Sequence, residues 1–163
     1  MLNWLKIKAY IAAFWRFPLP EKWLLIQSAA LLPWVALGLR LFGFNRIQAI
    51  LASFAPPMAH QERVSEQQIA QAYRSAFLVE KTTRHGLIRA NCLQRSLLLW
   101  FLLLRRGIYP DLRIGCKLTS KFEAHAWLEL DGHIINDSVD VLETYAVFPR
   151  AFNLPRPSLS WVE

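Results

Sequence analysis

Asn91-Cys92-Leu93-Gln94-Arg95-Ser96-Leu97-Leu98-Leu99-Trp100-Phe101-Leu102-Leu103-Leu104-Arg105-Arg106-Gly107 is the stretch on which the fold turns. Asn91 can cap a helix whose first residue is Cys92. From Leu93 to Leu104 the helix is apolar nearly all round, with only Gln94, Arg95 and Ser96 polar in the first turn. A helix of that kind belongs in the middle of a core. Arg105, Arg106 and Gly107 supply a basic C-terminus and a stop.

Downstream the hydrophobic period changes from 3.6 to 2. Leu112 to Leu118 alternates, as do Ala124 to Leu130 and, in part, His133 to Asn136. Asp131-Gly132 between the last two is a hairpin signal. The expected class is therefore α+β: a buried, cysteine-bearing helix packed on a small antiparallel sheet.

Upstream the chain reads as apolar helices cut by proline and glycine. Residues 2–17 form the first, and Pro18 ends it. Pro20 opens a second with Glu21 near its positive end. Pro33 starts a third that stops near Gly43, and a fourth runs from Asn45 to Phe54. Ala55-Pro56-Pro57 then marks the boundary between an apolar helical region, 1–57, and the main domain, 58–163. Ser65 and Gln68 form a capping-box pattern opening a helix to about Thr83, with Ile69, Tyr73, Ala76, Phe77 and Glu80 at helical spacing.

Hydrophobic residues make up 54% of the 163 residues against 19% charged, which excludes disorder for the whole chain. Residues 1–60 carry six Lys/Arg and one Glu, 61–110 eight against three acids, and 111–163 five against eight. The basic side chains are dispersed along apolar helices, which reads first as solvated helix faces, then as contact with anionic lipid or an acidic partner. Nucleic acid is not expected. Trp23 to Leu39 gives 17 nearly apolar residues, short of the roughly 20 that cross a bilayer, with Pro33 inside. Packed or membrane-peripheral helices fit residues 1–55 better than a span. Two cysteines and no evident secretion signal point to free thiols in a reducing cytoplasm.

Cys92 sits at a helix N-terminus, where unpaired amides and the helix dipole favour a thiolate. Set against this is the ordinary reading of a cysteine as a small buried hydrophobe. His125 follows 33 residues later on a strand, and Asp137 a further 12 residues on. A strict two-residue turn at 131–132 pairs Leu130 with His133 and sets His125 and Asp137 on opposite faces. A triad therefore requires an irregular hairpin, and a strict turn counts against Asp137; Asp140 behaves the other way. Cys116 alternates with Ile114 and Leu118 and is expected in the core. His133 and Asp131 belong to the turn, while His60 and His85 lie in loops. No close C-x-x-C or H-x-x-x-H pair supports a metal site, and no cofactor motif is present.

The order of helix cysteine, strand histidine and strand aspartate is that of transglutaminase-like and papain-like folds. The strings Cys92-Leu93-Gln94-Arg95-Ser96-Leu97, Leu104 to Ile108, Leu112 to Gly115 and Ala124 to Gly132 closely resemble the leader peptidase of lasso-peptide biosynthesis, the transglutaminase-like half of the B protein. The apolar, arginine-dotted helices before Pro56 resemble the region preceding that domain. Cys116 stands where the family usually has valine. The resemblance implies a Cys92–His125–Asp137 triad that removes the leader of a ribosomally made precursor peptide through a thioacyl intermediate. It also implies two partners, a separate leader-recognition protein and an ATP-dependent lasso cyclase. A transglutaminase, a non-catalytic scaffold and a small membrane-associated protein are the competing expectations.

Overall fold

Pro18 and Pro20 start the first long helix, α1 (Leu19–Ser53), in a computed structural model that describes residues 15, 17–57, 64–85, 89–118 and 122–148. The expected helix over 2–17 falls almost wholly outside these residues. α1 does not restart at Pro33, contrary to the sequence reading. The proline is exposed, and Leu24, Ser28, Leu32, Val35 and Gly38 continue one buried stripe past it. Burial along that stripe offsets the hydrogen bond a helical proline forfeits.

Gly43 does break the helix, as expected, at φ 75° and ψ 172°. In a straight helix residues 38 and 47 stand about 13 Å apart. Here a Cβ built on Gly38 meets Ile47 Cδ1 at 2.6 Å, so the chain folds back at Gly43 and seats Ile47 against the glycine.

α2 (Glu66–His85) opens on the expected capping box. Gln68 N donates to Ser65 Oγ at 3.2 Å, and Ser65 N to Gln68 Oε1 at 3.0 Å. Its buried residues are Ala72, Ser75, Ala76, Leu78, Val79 and Thr83, while Tyr73 and Phe77 remain largely exposed. His85 ends this helix and does not lie in a loop.

α3 (Cys92–Leu104) begins on Asn91 with a full capping box, because Gln94 returns the bond. Gln94 N donates to Asn91 Oδ1 at 2.8 Å, and Asn91 N to Gln94 Oε1 at 3.1 Å. Every residue from Ser96 to Leu104 is buried, and Gly107 at φ 70° closes the turn beyond. One apolar cluster joins α1, α2, α3 and the sheet residues Leu112, Leu128 and Leu130, so the core runs across the Pro56-Pro57 break.

Four strands follow: β1 (Asp111–Leu118), β2 (Phe122–Leu130), β3 (His133–Ile134) and, after the short helix α4 (Val141–Thr144), β4 (Ala146–Val147). The sheet is antiparallel with order β3-β2-β1-β4. Leu112, Leu128 and Leu130 face the helices, while His125, Trp127 and Glu129 share the other face. Cys116 departs from expectation: it is only partly buried and joins neither core cluster. Its ladder partner Ala124 is exposed, so the core has already ended where β1 reaches Cys116.

Candidate active site

β3 is only two residues long, and its brevity makes the site. In β2 the carbonyls of Ala124, Ala126 and Leu128 alternate toward the β3 side. Leu128 O still receives Ile135 N at 2.9 Å, but beyond that point β2 has no neighbouring strand on this edge among the described residues. Side chains take over. Asn136 Oδ1 accepts from Leu128 N at 2.7 Å, and Asn136 Nδ2 donates to Ser96 Oγ at 2.8 Å. Ser96 Oγ, fully buried, donates to Ala126 O at 2.9 Å. Cys92, one helical turn earlier, directs its Sγ to Ala124 O at 4.0 Å. The first turn of α3 thus completes the open edge of β2, and brings the thiol beside the residue preceding His125.

His125 and Asp137 meet directly, Nε2 to Oδ2 at 2.5 Å. The other carboxylate oxygen accepts Ser138 N at 2.9 Å. The turn joining β2 and β3 is nevertheless the strict two-residue kind, with Asp131 at φ 49° and Gly132 at φ 80°, and Leu130 pairs with His133. The parity objection to Asp137 fails for a local reason. It holds only while the ladder continues, and the ladder ends when Asn136's side chain replaces the carbonyl of Ile135 as acceptor for Leu128 N. The bend over 135–137 then carries Asp137 to His125. Asp140, the alternative, is exposed and precedes α4 without a capping bond.

The imidazole is stacked on Tyr145, ring centroids 4.9 Å apart, and on Trp127 at 6.2 Å. Trp127 is fully buried and donates Nε1–H to Glu129 Oε1 at 3.0 Å; Arg113 Nε donates to the other oxygen at 2.9 Å. Gly115, the ladder partner of His125, leaves room for these rings. A Cβ there would lie 2.9 Å from Trp127 Cη2, 3.0 Å from Tyr145 Cβ and 3.1 Å from Ala146 O. None of Ser96, Asn136, Trp127 and Tyr145 was picked out from sequence. Trp127 could have been, two residues from His125 on the same face.

The structure therefore joins His125 to Asp137 and sets Cys92 against Ala124, but no hydrogen bond links thiol and imidazole among the described residues. With Nε2 committed to Asp137, Nδ1 is the nitrogen left to serve a thiol. Unliganded sites often hold such bonds long, and they tighten when substrate enters. The capping box uses the amide of Gln94, and Arg95 N donates to Asn91 O at 3.0 Å. The amides of Cys92 and Leu93 precede the first intrahelical bond and are the natural donors to a developing oxyanion. His133 stays in the exposed turn with Nδ1 3.1 Å from Asp131 O. His60 lies outside the described residues. No group of three or more His, Cys, Asp or Glu side chains gathers among the described residues to hold a metal.

Cys92, on a capped helix, thus lies beside the strand that carries His125, and His125 is paired with Asp137 from the bend after β3, all on a small α+β scaffold. The sequence agrees: residues 33–150 match the Transglutaminase-like superfamily, and the chain belongs to it. That superfamily fits cysteine peptidase or acyltransferase chemistry. No curated protein and no solved structure matches the chain.

Proposed function

We propose that this protein is a cysteine peptidase that removes the leader from a ribosomally made precursor peptide during lasso-peptide maturation. The observation that supports it most is the seating of Cys92, at a capped helix N-terminus, beside the strand whose His125 is held by Asp137. The Cys92 thiolate attacks the scissile carbonyl. His125 takes the thiol proton and returns it to the departing amine. Asp137 fixes the imidazole with Nδ1 toward the thiol and stabilises its charged form. The Cys92 amide donates to the oxyanion, and water resolves the thioacyl intermediate. Losing one such donor typically costs about two to three powers of ten in rate.

The partners of this reading are the precursor, a separate leader-recognition protein and an ATP-dependent lasso cyclase. α1 contributes a contact face. By length and composition it could cross a membrane, but one stripe is buried in the protein and Trp15, Trp23, Trp34, Leu37, Leu41 and Phe42 are exposed on it or just before it. That suits a helix lying in a membrane surface, where tryptophans favour the interface.

The test is mass spectrometry of a precursor peptide incubated with its recognition protein and either wild-type or Cys92→Ala enzyme. A leader fragment formed only by the wild type is the expected result. A product carrying a new isopeptide bond means acyl transfer to an amine. Intact precursor with both proteins means a scaffold.

A further inference from the structure

A cavity of about 420 Å³ opens next to Asp137, and the proposed mechanism leaves it unused. Its walls come from three parts of the fold: Tyr73, Phe77 and Arg84 on α2, Arg95 and Leu99 on α3, and the bend at Asn136–Ser138. Pockets of this size take a peptide side chain with its flanking backbone. Arg95 follows Cys92 by three residues, so both lie on the same side of the first turn of α3.

The charges in the walls are already spoken for, with one exception. Arg84 Nη2 pairs with Glu80 Oε1 at 3.0 Å, and the Asp137 carboxylate is engaged by His125 and Ser138 N. Arg95 makes no side-chain hydrogen bond or ion pair among the described residues, and its Nε is buried with no partner among them. A guanidinium whose Nε is buried without a partner calls for a planar acceptor, and a carboxylate meets it with two parallel bonds. A doubly charged phosphate would also face Glu80 and Asp137, whereas one carboxylate balances one arginine. The rings of Tyr73 and Phe77 can cover the apolar stem of the incoming side chain.

We propose that this cavity is a substrate subsite that binds an acidic side chain of the peptide close to the scissile bond, with Arg95 as its specificity-determining residue. The assignment rests on the peptidase reading of the same site. It predicts that an acidic residue at one position of the substrate tightens binding, and that the preference belongs to the Arg95 guanidinium.

The experiment uses the full-length Cys92→Ala protein, which binds without turning over, and fluorescent decapeptides of Ala and Gln with a single Glu moved along the chain. Fluorescence anisotropy is expected to show one register in which Glu binds about tenfold or more tighter than Gln. Adding Arg95→Met should abolish the difference, and Arg95→Lys should restore part of it. Equal binding of Glu and Gln peptides in every register, no binding at all, or a preference that survives Arg95→Met would overturn the subsite. The Glu-against-Gln comparison alters nothing in the cavity, so it decides the matter even if Arg95→Met does not fold. Incubating the precursor and its recognition protein with the wild type separates the two ideas. Precursor cleavage with no acidic preference among the decapeptides sinks the subsite alone, and acidic preference with an uncleaved precursor sinks the peptidase alone.

Discussion

From Ser96 to Leu104, α3 buries every side chain, whereas α1, also rich in apolar residues, buries one stripe and leaves Trp23 and Trp34 60% and 69% exposed. The two helices differ in what surrounds them. α3 lies between α1, α2 and the sheet, so each face finds a partner. Among the described residues, α1 has neighbours on one side only. Apolar composition alone therefore cannot distinguish a core helix from one that displays its apolar surface. In α3 that composition holds the fold together and anchors the candidate nucleophile, while in α1 it is available for contact with something else.

The most severe test of this contrast is Trp100→Ala, a truncation at the buried centre of α3. It should cost about 3–5 kcal/mol of unfolding free energy in a urea titration. A loss under 1 kcal/mol would mean that α3 is not the core helix.

On the far side of the sheet, Gly115→Ala should cost about 1–3 kcal/mol, because the added methyl must push Trp127 or Tyr145 aside or strain the Ala146 backbone. The readout is again urea unfolding, with Tyr and Trp near-UV dichroism to register disturbance of the rings around His125.

A serine pair sharpens the comparison between the helices. Ser96→Ala strands two partners, the half-buried Asn136 Nδ2 and the buried Ala126 O, and should cost about 1–3 kcal/mol together with a drop in cleavage rate. Ser28 in α1 is equally buried but donates only to Leu24 O of its own helix at 2.7 Å. Ser28→Ala should stay within about 1 kcal/mol and leave cleavage unchanged, since that carbonyl already serves the helix. Equal losses for the two serines would contradict the role given to Ser96 in joining α3 to β2.

Trp34→Ala should be the mildest, within about 0.5 kcal/mol by thermal or urea unfolding, while lowering association with vesicles containing anionic lipid in a sedimentation assay. A large loss of stability would place Trp34 in the fold and not on a contact face.

What could be read from sequence follows from how local each signal is. The capped start of α3 at Asn91-Cys92, the stop at Gly107 and the Asp131-Gly132 turn rest on residues within one turn of each other. The α+β class follows from a change of hydrophobic period. Pro33 misled because the benefit of staying helical comes from Leu32 and Val35 packing on elements far along the chain. Cys116 misled because alternation gives a face but not where along the strand the core ends.

The histidine–aspartate pairing was legible through order and resemblance, while strand parity pointed against it. Parity assumes that β3 continues, and its end depends on Asn136 meeting Leu128 N and on Ser96, 40 residues earlier in the chain. Tyr145 was hidden for a similar reason. It reaches His125 because two residues of β4 pair with Gly115 and Cys116, which no local pattern announces.

The central claim is that Cys92 becomes acylated by the peptide it cuts, with His125 and Asp137 assisting. The most direct measurement is intact-mass analysis of the protein after rapid acid quenching with precursor peptide and recognition protein, followed by mapping of the modified residue. We expect wild-type enzyme to carry the leader on Cys92, and Asp137→Asn to form this adduct slower by about four powers of ten, as in other triads whose aspartate is removed. Leader release with no adduct on Cys92, undiminished in Cys92→Ala, would contradict it.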